Sequence, residues 1–314
     1  MMSSRSSFLA LCASSLAAGA PVVARAQTPA ALRVACTASD AYAEAIYARD
    51  LGYFEKAGLN VDLSLLGGGS QIVAAVASGA LDIGITTPIP LVLAYLHGIP
   101  FAYFCSGGMY NPDESALCVV ADGPIVTAKD LEGKTVASPS LVDANTIAVR
   151  SFVDQNGGDS TKVHFLEIAF SAMVASLQRG IVAAAPIVEP ALSAAKKQGG
   201  IRVLLPPYAS AFGKNALLGG WFARTDWLKA NAAVARRFAS VIYSTGKWAN
   251  THPNESADIL ANAAKLDPIV VRGMGRAPYG DTLNPSMVQS MLDLAFKYKV
   301  IDRHVNAGEI VYKL

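Results

Sequence analysis

The sequence has few of the side chains on which most enzymes and metal-binding proteins depend. Four of its 314 residues are histidine and four are cysteine, and 16% are charged. The histidines are scattered, and none has a metal-ligand spacing or a nucleophile motif beside it: they are His97, His164, His252 and His304. The motifs C-x-x-C, H-E-x-x-H and G-x-S-x-G do not occur. The sequence therefore predicts no catalytic residue, no metal site and no cofactor.

The chain also lacks an excess of charge once its first 26 residues are set aside. "MMSSRSS" is a short positive segment, "FLALCASSLAAGA" is an apolar run too short to span a bilayer, and "ARA" before Gln27 is a small-x-small cleavage site. This leader contains Arg5 and Arg25 and no acid, so the net charge of +2 falls to zero in the mature chain. The pattern predicts an exported protein cleaved near Ala26, with no electrostatic reason to bind nucleic acid.

Cysteine is scarce in the mature chain, where Cys36, Cys105 and Cys118 each lie in an apolar, strand-like run. An exported compartment permits a disulfide, and Cys105 with Cys118 is the pair close enough in sequence to form one. Buried free thiols that act as small apolar side chains are the favoured interpretation.

Short apolar runs alternate with alanine-rich segments of helical period, a pattern typical of a mostly parallel sheet covered by helices. The order of strands and helices that begins at "LRVACTA" is repeated from "DLEGKTVASPS" onwards. After a strand near Trp221 the tail is helical, which predicts that it packs back on the first lobe. The predicted fold is α/β, with two doubly wound lobes and a ligand cleft between them. The predicted lobes are residues 27–117 with 217–314, and residues 118–216.

The stretch "GGGSQIVAAVASGALDIGITTPIP", residues 67–90, sets three glycines before a helix, with Ser70 as the predicted N-cap and Gly79 at C′. It has no Gly-Lys-Ser/Thr of a Walker A loop and no third glycine of the dinucleotide fingerprint. It is too short and too tightly framed for a flexible linker. The stretch therefore predicts a loop whose backbone approaches a ligand at the carboxyl edge of a sheet.

Small polar residues follow the predicted strands of both lobes. Ligands of open α/β sheets bind in the crevice beyond the carboxyl ends of the strands. Singly these residues are common caps and turn formers, but five such loops together favour a binding cleft. The candidate polar contacts are Ser39, Asp40, Gly69, Ser70, Gln71, Thr86, Thr87, Gly108, Ser138, Ser140, Asn145 and Thr146. The aromatic candidates, which could stack on a ligand ring, are Tyr42, Tyr110, Phe170 and Trp221.

Four segments between about residues 32 and 265 give the chain a family resemblance: "RDLGYFEKAGLNVDL", "GGGSQIVAAVASGALDIGITTP", "DLEGKTVA" and "IVEP". With them it resembles the periplasmic solute-binding proteins of ABC importers, in the branch that serves sulfonates, taurine, nitrate and thiamine pyrimidine precursors. The resemblance implies a type II fold whose two lobes close on a small molecule in the periplasm. It also implies a monomer that delivers this ligand to a permease in the inner membrane and is not an enzyme.

The ligand loops of the family match positions already chosen here. They correspond to residues 37–42 and 68–71, to Thr86 with Thr87, to Asn145 with Thr146, and to Glu189 before Pro190. Val142 and Asp143 replace serines that are common in the family, and Ala183 replaces a usual Asp. The thiamine pyrimidine synthase of eukaryotes is similar in fold, but its cysteine cluster and a matching histidine are missing here. A regulator's effector domain would need an N-terminal helix-turn-helix, where this chain has a leader.

The predicted loops contain acids and no bases. They carry Asp40, Asp143 and Glu189, whereas binders of oxyanions present amides, hydroxyls and often a basic group. Asp143 is open to two interpretations, an acid at a ligand-facing helix terminus or an ordinary cap that points away from the cleft. An acid such as Glu189 in an apolar strand is costly unless it is paired or used. The favoured ligand is therefore neutral or nitrogen-bearing, such as a thiamine-type pyrimidine. The alternative is an alkanesulfonate, taurine, nitrate or another small oxyanion.

Overall fold

Strands and helices alternate through most of the chain in the computed structural model, which describes residues 31–205, 211–213 and 215–314. The predicted leader and its cleavage site lie outside these residues. The strands are β1 (Leu32–Cys36), β2 (Val61–Leu65), β3 (Ile83–Thr86), β4 (Phe101–Ser106), β5 (Ser115–Val120), β6 (Thr135–Ser138), β7 (His164–Glu167), β8 (Ala185–Val188), β9 (Ile201–Leu205) and β10 (Gly220–Arg224).

The helices cover both sheets and form the C-terminal tail. They are α1 (Glu44–Asp50), α2 (Tyr53–Lys56), α3 (Gly69–Ala77), α4 (Pro88–Leu96), α5 (Ala144–Gln155), α6 (Phe170–Gln178), α7 (Ala191–Gln198), α8 (Thr225–Ala230), α9 (Ala232–Thr251), α10 (Pro253–Ala264), α11 (Pro268–Gly273) and α12 (Ser286–Lys297). Within the described ranges, none of these helices has both the length and the apolar character needed to cross a bilayer.

The first sheet has five strands in the order β2-β1-β3-β10-β4. β1 pairs in parallel with β2 and β3, and β10 runs antiparallel between β3 and β4. β10 comes more than 100 residues after β4 in sequence, yet all but its last residue are buried here. The helical tail that follows β10 therefore starts from the centre of the first sheet, and α9 packs on α1 and on β4.

The second sheet is built around an antiparallel strand that the sequence pattern does not distinguish. β5 pairs antiparallel with β8 and β9, and β6 pairs in parallel with β7. A parallel bridge between Val136 and Ala184 joins the two groups, with Ala137 N–H donating to the carbonyl of Ala184 at 2.9 Å. The α/β prediction is confirmed, and both sheets are mixed because each contains an antiparallel strand.

The glycine-rich stretch forms the predicted loop, helix and strand with one difference at the helix start. α3 begins at Gly69 with Gly68 as its N-cap, so the prediction that Ser70 caps the helix is wrong. A Cβ on Gly69 would collide with the hydroxyl of Thr86 at the end of β3, which explains why the helix starts on a glycine. Gly79 occupies the C′ position with φ +77°, as predicted, because this left-handed conformation strains other residues.

The largest apolar cluster lies in the first lobe, beneath its sheet and the tail helices. The Trp221 ring packs edge-on against Phe238 of α9 at 5.2 Å, and Phe101 packs against Phe222 at 5.1 Å. The cluster also reaches α5 of the second lobe, through Ile147. Each fully buried aromatic side chain contributes roughly 1.5–3 kcal/mol to stability through burial.

The cysteines are free and buried, as the sequence predicts. Cys105 lies in β4 of the first sheet and Cys118 in β5 of the second. Burial raises the pKa of both thiols, which keeps them protonated and unreactive.

Candidate functional site

The polar residues of the first lobe lie where β1, β2 and β3 end. The hydroxyls of Thr37 and Ser39 are 2.8 Å apart. Ser70 and Gln71 are exposed in the first turn of α3, and the side-chain oxygen of Gln71 accepts the N–H of Gly67 at 3.1 Å. This end of the sheet thus offers hydroxyls and the free amides of a helix start.

Thr86 and Thr87 close the same end of the sheet. Thr86 is buried, and its hydroxyl has no hydrogen-bond partner among the described residues. Its carbonyl accepts the hydroxyl of Tyr103 at 3.0 Å. Burial raises the pKa of the Tyr103 phenol, and the charge of Tyr42 makes a further, smaller contribution. Thr87 is half-buried and precedes α4, whose first residue is Pro88. Tyr103 therefore connects the end of β3 to Tyr42.

In the second lobe, three residues that were predicted to contact the ligand form hydrogen bonds with one another. The hydroxyls of Ser138 and Thr146 are 2.8 Å apart, and both lie within hydrogen-bond distance of the Ser140 carbonyl, at 2.8 and 3.0 Å. Ser138 and Thr146 are buried. The network fixes the loop between β6 and α5, so these hydroxyls hold the start of α5 in place.

Asp143 and Asn145 form a second pair at the start of α5. One carboxylate oxygen of Asp143 accepts both the backbone N–H and the side-chain amide of Asn145, each at 2.6 Å. Asp143 is therefore the predicted cap, and burial raises the pKa of its carboxyl. Asn145 is 6% exposed, and its side-chain oxygen has no partner among the described residues. The pair leaves one buried acceptor unused.

Asp40, a candidate ligand contact in the sequence, is bound by other residues of the first lobe. Its carboxylate accepts Arg276 Nε at 2.7 Å and the N–H of Ala277 at 2.6 Å, and its carbonyl accepts the Tyr279 hydroxyl. Burial raises the pKa of Asp40, and Arg276 opposes that rise. Because both carboxylate oxygens accept hydrogen bonds inside the first lobe, Asp40 fixes the segment around residue 276.

Gly108 and Trp221 are also structural. Gly108 N–H donates to the carbonyl of Ala41 at 3.2 Å, and a Cβ on Gly108 would collide with Ala41. Trp221 is 0% exposed and its ring packs in the core against Phe238, and stacking of that ring on a ligand stays a prediction. Its burial comes from the central position of β10, which the sequence does not reveal.

Two further aromatic candidates, Tyr110 and Phe170, differ in exposure. Tyr110 is buried in the apolar cluster that joins the first lobe to α5, and its N–H donates to the carbonyl of Ala216 at 2.9 Å. Phe170 is 39% exposed at the start of α6. Phe170 thus retains a ring face that a ligand can reach.

Glu189 has partners from two segments. Its carboxylate accepts the hydroxyl of Ser193 at 2.6 Å and the N–H of the same residue at 3.0 Å. A longer contact of 3.5 Å comes from the N–H of Gly275, in the segment held by Asp40. Glu189 thus lies in the turn that follows β8, where these donors compensate its charge.

Glu114 is a further acid, and none of the sequence motifs includes it. It lies at the entry to the second sheet, where the N–H of Glu189 donates to its carbonyl at 2.9 Å. Burial and the charges of Asp40 and Glu189 raise the pKa of Glu114 to about 8. One of its carboxyl oxygens, Oε2, is buried with no partner among the described residues. An acid directly before the apolar strand "SALCVV" is the signal that could have identified it.

Tyr42 is the aromatic candidate of the first lobe whose pKa responds to neighbouring acids. Its hydroxyl donates to the carbonyl of Leu218 at 3.5 Å in the first lobe. Burial raises the pKa of its phenol, and the charges of Glu114 and Asp143 raise it further. Such effects are strong only at short range in a protein. We refer to Glu114, Asp143 and Glu189 together as the acid cluster.

A family model described as "NMT1/THI5 like" matches residues 40–256. The chain belongs to the NMT1/THI5-like family. It is 24% identical over 254 residues to an Escherichia coli (strain K12) protein named as an aliphatic sulfonates-binding protein, covering 78% of this chain and 77% of that one. It is 26% identical over 190 residues to the taurine-binding periplasmic protein of the same organism, covering 60% of this chain and 58% of that protein.

The fold agrees with this membership. The crystal structure of the periplasmic aliphatic sulphonate binding protein SsuA from Escherichia coli matches with a TM-score of 0.76 and 21% identity, over 91% of this chain and 92% of that one. This NMT1/THI5-like protein thus has the fold of the SsuA-type periplasmic binding proteins, as the sequence resemblance predicted. These named relatives are binding proteins and not enzymes.

Proposed function

We propose that this protein is the periplasmic solute-binding component of an ABC importer and that it captures a small organic sulfonate between two lobes. The observation that carries the proposal is the set of polar groups at the strand ends of both lobes, among them the buried hydroxyl of Thr86 and the buried side-chain oxygen of Asn145, which have no partner among the described residues. Groups from two sheets that converge at their strand ends form the kind of site in which α/β proteins bind ligands. The proposed lobes are residues 27–117 with 217–314, and residues 118–216, after cleavage near Ala26.

The sulfonate assignment is supported by the named relatives and by the first lobe. Two relatives are named for aliphatic sulfonates and for taurine, which is an aminosulfonate. The exposed Ser70 and Gln71 lie in the first turn of α3, where backbone N–H groups point outward and the helix dipole favours an anion. Thr87 adds a hydroxyl at the start of α4.

A nitrogen-bearing heteroaromatic is the second candidate, and the acid cluster favours it. Arg276, a cation near these acids, is bound to Asp40. Carboxyl groups suit a ligand with N–H donors better than a simple oxyanion, because a second anion would have to enter beside them. The exposed ring of Phe170 could stack on such a heterocycle.

The proposal describes a monomer that needs no cofactor or nucleic acid, catalyses no reaction and delivers its ligand to a membrane permease. Two named relatives are solute-binding proteins, and a third shares the fold. Within the described residues, no three His, Cys, Asp or Glu side chains are placed to hold a metal ion together. Binding without turnover is therefore the activity to be measured.

Calorimetry of the mature protein, residues 27–314, tests the proposal against alkanesulfonates, taurine, nitrate and pyrimidines. We expect one sulfonate to bind with a dissociation constant in the micromolar range or below, and small-angle scattering to show compaction on binding. Tight binding of a pyrimidine without any sulfonate would establish the second candidate. No binding by any compound, or binding without compaction, would contradict the two-lobed capture of a small solute.

Asn145→Ala provides a site-specific control. Removal of its amide takes away a buried acceptor and the partner of Asp143, so we expect affinity to fall by about tenfold or more. Asn254→Ala is the matched variant, because Asn254 is exposed in α10. Equal affinities in both variants would show that the start of α5 does not contact the ligand.

A further inference from the structure

The first crossing of the chain from one lobe to the other, between β4 and β5, begins in a three-stranded arrangement. Residues 107–110 lie between residues 216–219, which precede β10, and residues 278–280 of the tail. The N–H of Met109 donates to the carbonyl of Pro278 at 2.7 Å, and on its other side Met109 forms an antiparallel bridge to the segment before β10. Backbone that is paired on both sides cannot bend without losing hydrogen bonds. Rotation of one lobe against the other must therefore be absorbed farther along the crossing.

Beyond this arrangement the crossing makes a turn, residues 111–114, before β5 begins. The N–H of Glu114 donates to the carbonyl of Asn111 at 3.1 Å, and the N–H of Asp113 donates to the side-chain oxygen of Asn111 at 3.1 Å. Glu114 is already tied to the second lobe, because its carbonyl accepts the N–H of Glu189 at 2.9 Å. Hinges are a few residues at the ends of elements that take up the change in backbone angles. The turn at residues 111–114 is therefore the hinge on this crossing.

A segment of the helical tail holds this turn. We call residues 274–280 the strap. The side-chain amide of Asn111 donates to the carbonyl of Arg276, 165 residues later in the chain, at 2.7 Å. A Cβ on Gly275 would collide with the carbonyl of Asp113, so a glycine is needed for the strap backbone to lie directly against the turn. The hinge is thus held from outside by a segment that is distant in sequence.

The strap is fixed in the first lobe and reaches the second. Nε of Arg276 and the N–H of Ala277 both donate to the buried carboxylate of Asp40, at 2.7 and 2.6 Å. At the other end of the strap, the N–H of Gly275 lies 3.5 Å from the carboxylate of Glu189, and α11, directly before the strap, contacts α7. Glu189 and α7 belong to the proposed second lobe. Movement of this lobe away from the first must break these two contacts, while the contacts with Asp40 can stay.

The contacts of the strap belong to an arrangement in which the lobes are closed on one another. The hydroxyl of Tyr298 in α12 donates to the carboxylate of Asp154 in α5 at 2.8 Å. Ile147 of the same helix α5 lies in the apolar cluster of the first lobe. Because the lobes touch at α5 and α12 while the strap touches α7, the strap stabilises the closed arrangement.

A cavity beside the strap gives it room to move. The cavity has a volume of about 400 Å³ and is lined by the strap, by Asn111 and by the junction of α9 with α10. Closely packed interiors resist displacement, whereas a segment beside a cavity can shift without overpacking its neighbours. The strap can therefore leave the turn when the lobes separate.

We propose that the strap is a latch that favours the closed arrangement of the lobes, with Gly275 and Asn111 as positioning residues that set ligand affinity from outside the cleft. This inference rests on the proposed function, because it concerns closure of the lobes on a solute. The apparent affinity of a ligand is reduced by the fraction of molecules that are competent to bind it. Displacement of the strap from the turn shifts the molecules towards separated lobes, so every ligand loses affinity by the same factor.

The distance between the lobes tests the latch without any ligand. Spin labels on cysteines introduced by Glu55→Cys in α2 and Ala175→Cys in α6 report this distance by pulsed electron paramagnetic resonance, because both positions are exposed and the cysteines of the described residues are buried. Gly275→Ala forces the strap away from Asp113 and should shift the equilibrium about tenfold towards a second distance, that of separated lobes. Gly273→Ala is the matched control, because a Cβ there meets no atom within 4 Å. Equal distance distributions in the two glycine variants would overturn the proposal.

A second variant keeps the test decisive if Gly275→Ala does not fold. Asn111→Asp keeps the acceptor for the N–H of Asp113 and removes the donor to the carbonyl of Arg276. It should shift the same distance in the same direction by about threefold or more. Asn254→Asp is its control, because Asn254 is exposed in α10. A folded Asn111→Asp variant that melts at a lower temperature but has unmodified distances would overturn the proposal, since a merely structural role changes stability without moving the lobes.

Ligand affinities separate this inference from the proposed function. Among the compounds that bind, Gly275→Ala should lower every affinity by the same factor, up to about tenfold, and so preserve their ranking. A factor that differs between ligands would show that the strap acts on the ligand directly and would overturn its action from outside the cleft. If no compound binds, capture of a solute is refuted, yet the label distances in the ligand-free protein still decide whether the strap is a latch.

Discussion

Replacement of Arg276 by Met should destabilise the protein more than the loss of any exposed ion pair. The guanidinium binds Asp40 at 2.7 Å and also donates to the hydroxyls of Tyr47 at 3.0 Å and Ser256 at 3.3 Å. The side chains of the pair are 18% and 4% exposed. Arg276→Met leaves the buried carboxylate of Asp40 with the N–H of Ala277 as a donor but without a positive charge to compensate it.

The expected cost follows from this burial. Removal of one member of a buried ion pair commonly costs about 3–5 kcal/mol, because the charge left behind is no longer compensated. For a chain of this size the same loss corresponds to a decrease in melting temperature of roughly 5–15 °C. The segment around residue 276 also contacts Glu189 through Gly275, so loosening it should weaken ligand binding as well.

Urea unfolding followed by tryptophan fluorescence, together with calorimetric melting, measures the effect. Arg272→Met is the matched control, because the pair of Arg272 with Asp258 is 47% and 44% exposed. Exposed pairs contribute about 0–1 kcal/mol, so the control should be close to the unmodified protein. The double variant with Asp40→Asn should be less destabilised than the sum of the single changes. Equal losses from the two arginine variants would refute the reasoning.

Three further predictions follow from other buried contacts. Burial raises the pKa of Glu44 well above its ordinary 4.5. The stability due to its protonated form is therefore present below pH 4.5 and is lost as the pH rises through the pKa of the folded state. Between pH 5 and 9 the melting temperature should fall less steeply in Glu44→Gln than in the unmodified protein, and parallel slopes would contradict this. Gly69→Ala should cost about 1–3 kcal/mol through overpacking, whereas Gly68→Ala, with open space and extended φ, should be close to neutral in urea unfolding. Tyr298→Phe removes a 2.8 Å hydrogen bond from α12 to Asp154 in α5 and should lower the free energy of unfolding by about 1 kcal/mol, while a change below 0.3 kcal/mol would show that the bond is replaced by water.

Several elements could be predicted because local chemistry decides them. Gly79 follows α3 because a left-handed residue must end this helix, and Pro88 begins α4 because it needs no N–H donor there. Asp143 caps α5 for the same local reason. Residues 42–58 have the pattern of one continuous helix, but Gly52 adopts φ +68° and divides this segment into α1 and α2. Single backbone angles of this kind are weakly signalled by composition.

The candidate site was predictable in outline only. Thr86, Asn145 and Glu189 follow or end strands, and strand ends are recognisable from hydrophobic period. Glu114 was missed because its surroundings include Glu189, 75 residues later, whose N–H donates to the Glu114 carbonyl. Asp40 was assigned to the ligand because its partner, Arg276, is 236 residues away. Neither pairing can be recognised from the sequence around one of its members, because the partner lies far away along the chain.

The sequence by itself determined the alternation of strands and helices, the family, the buried cysteines and the loops from which a site could be built. These features depend on neighbours within about ten residues, and hydrophobic period and turn chemistry report such neighbours directly. The tertiary structure alone decided that β10 runs antiparallel between β3 and β4, which buries Trp221, and that the carboxylate of Asp40 is bound by Arg276 whereas Oε2 of Glu114 has no partner among the described residues. Sheet order and the pairing of charges depend on contacts between segments that are distant in sequence. Whether an acid is structural therefore depends on whether a distant segment places a donor beside it.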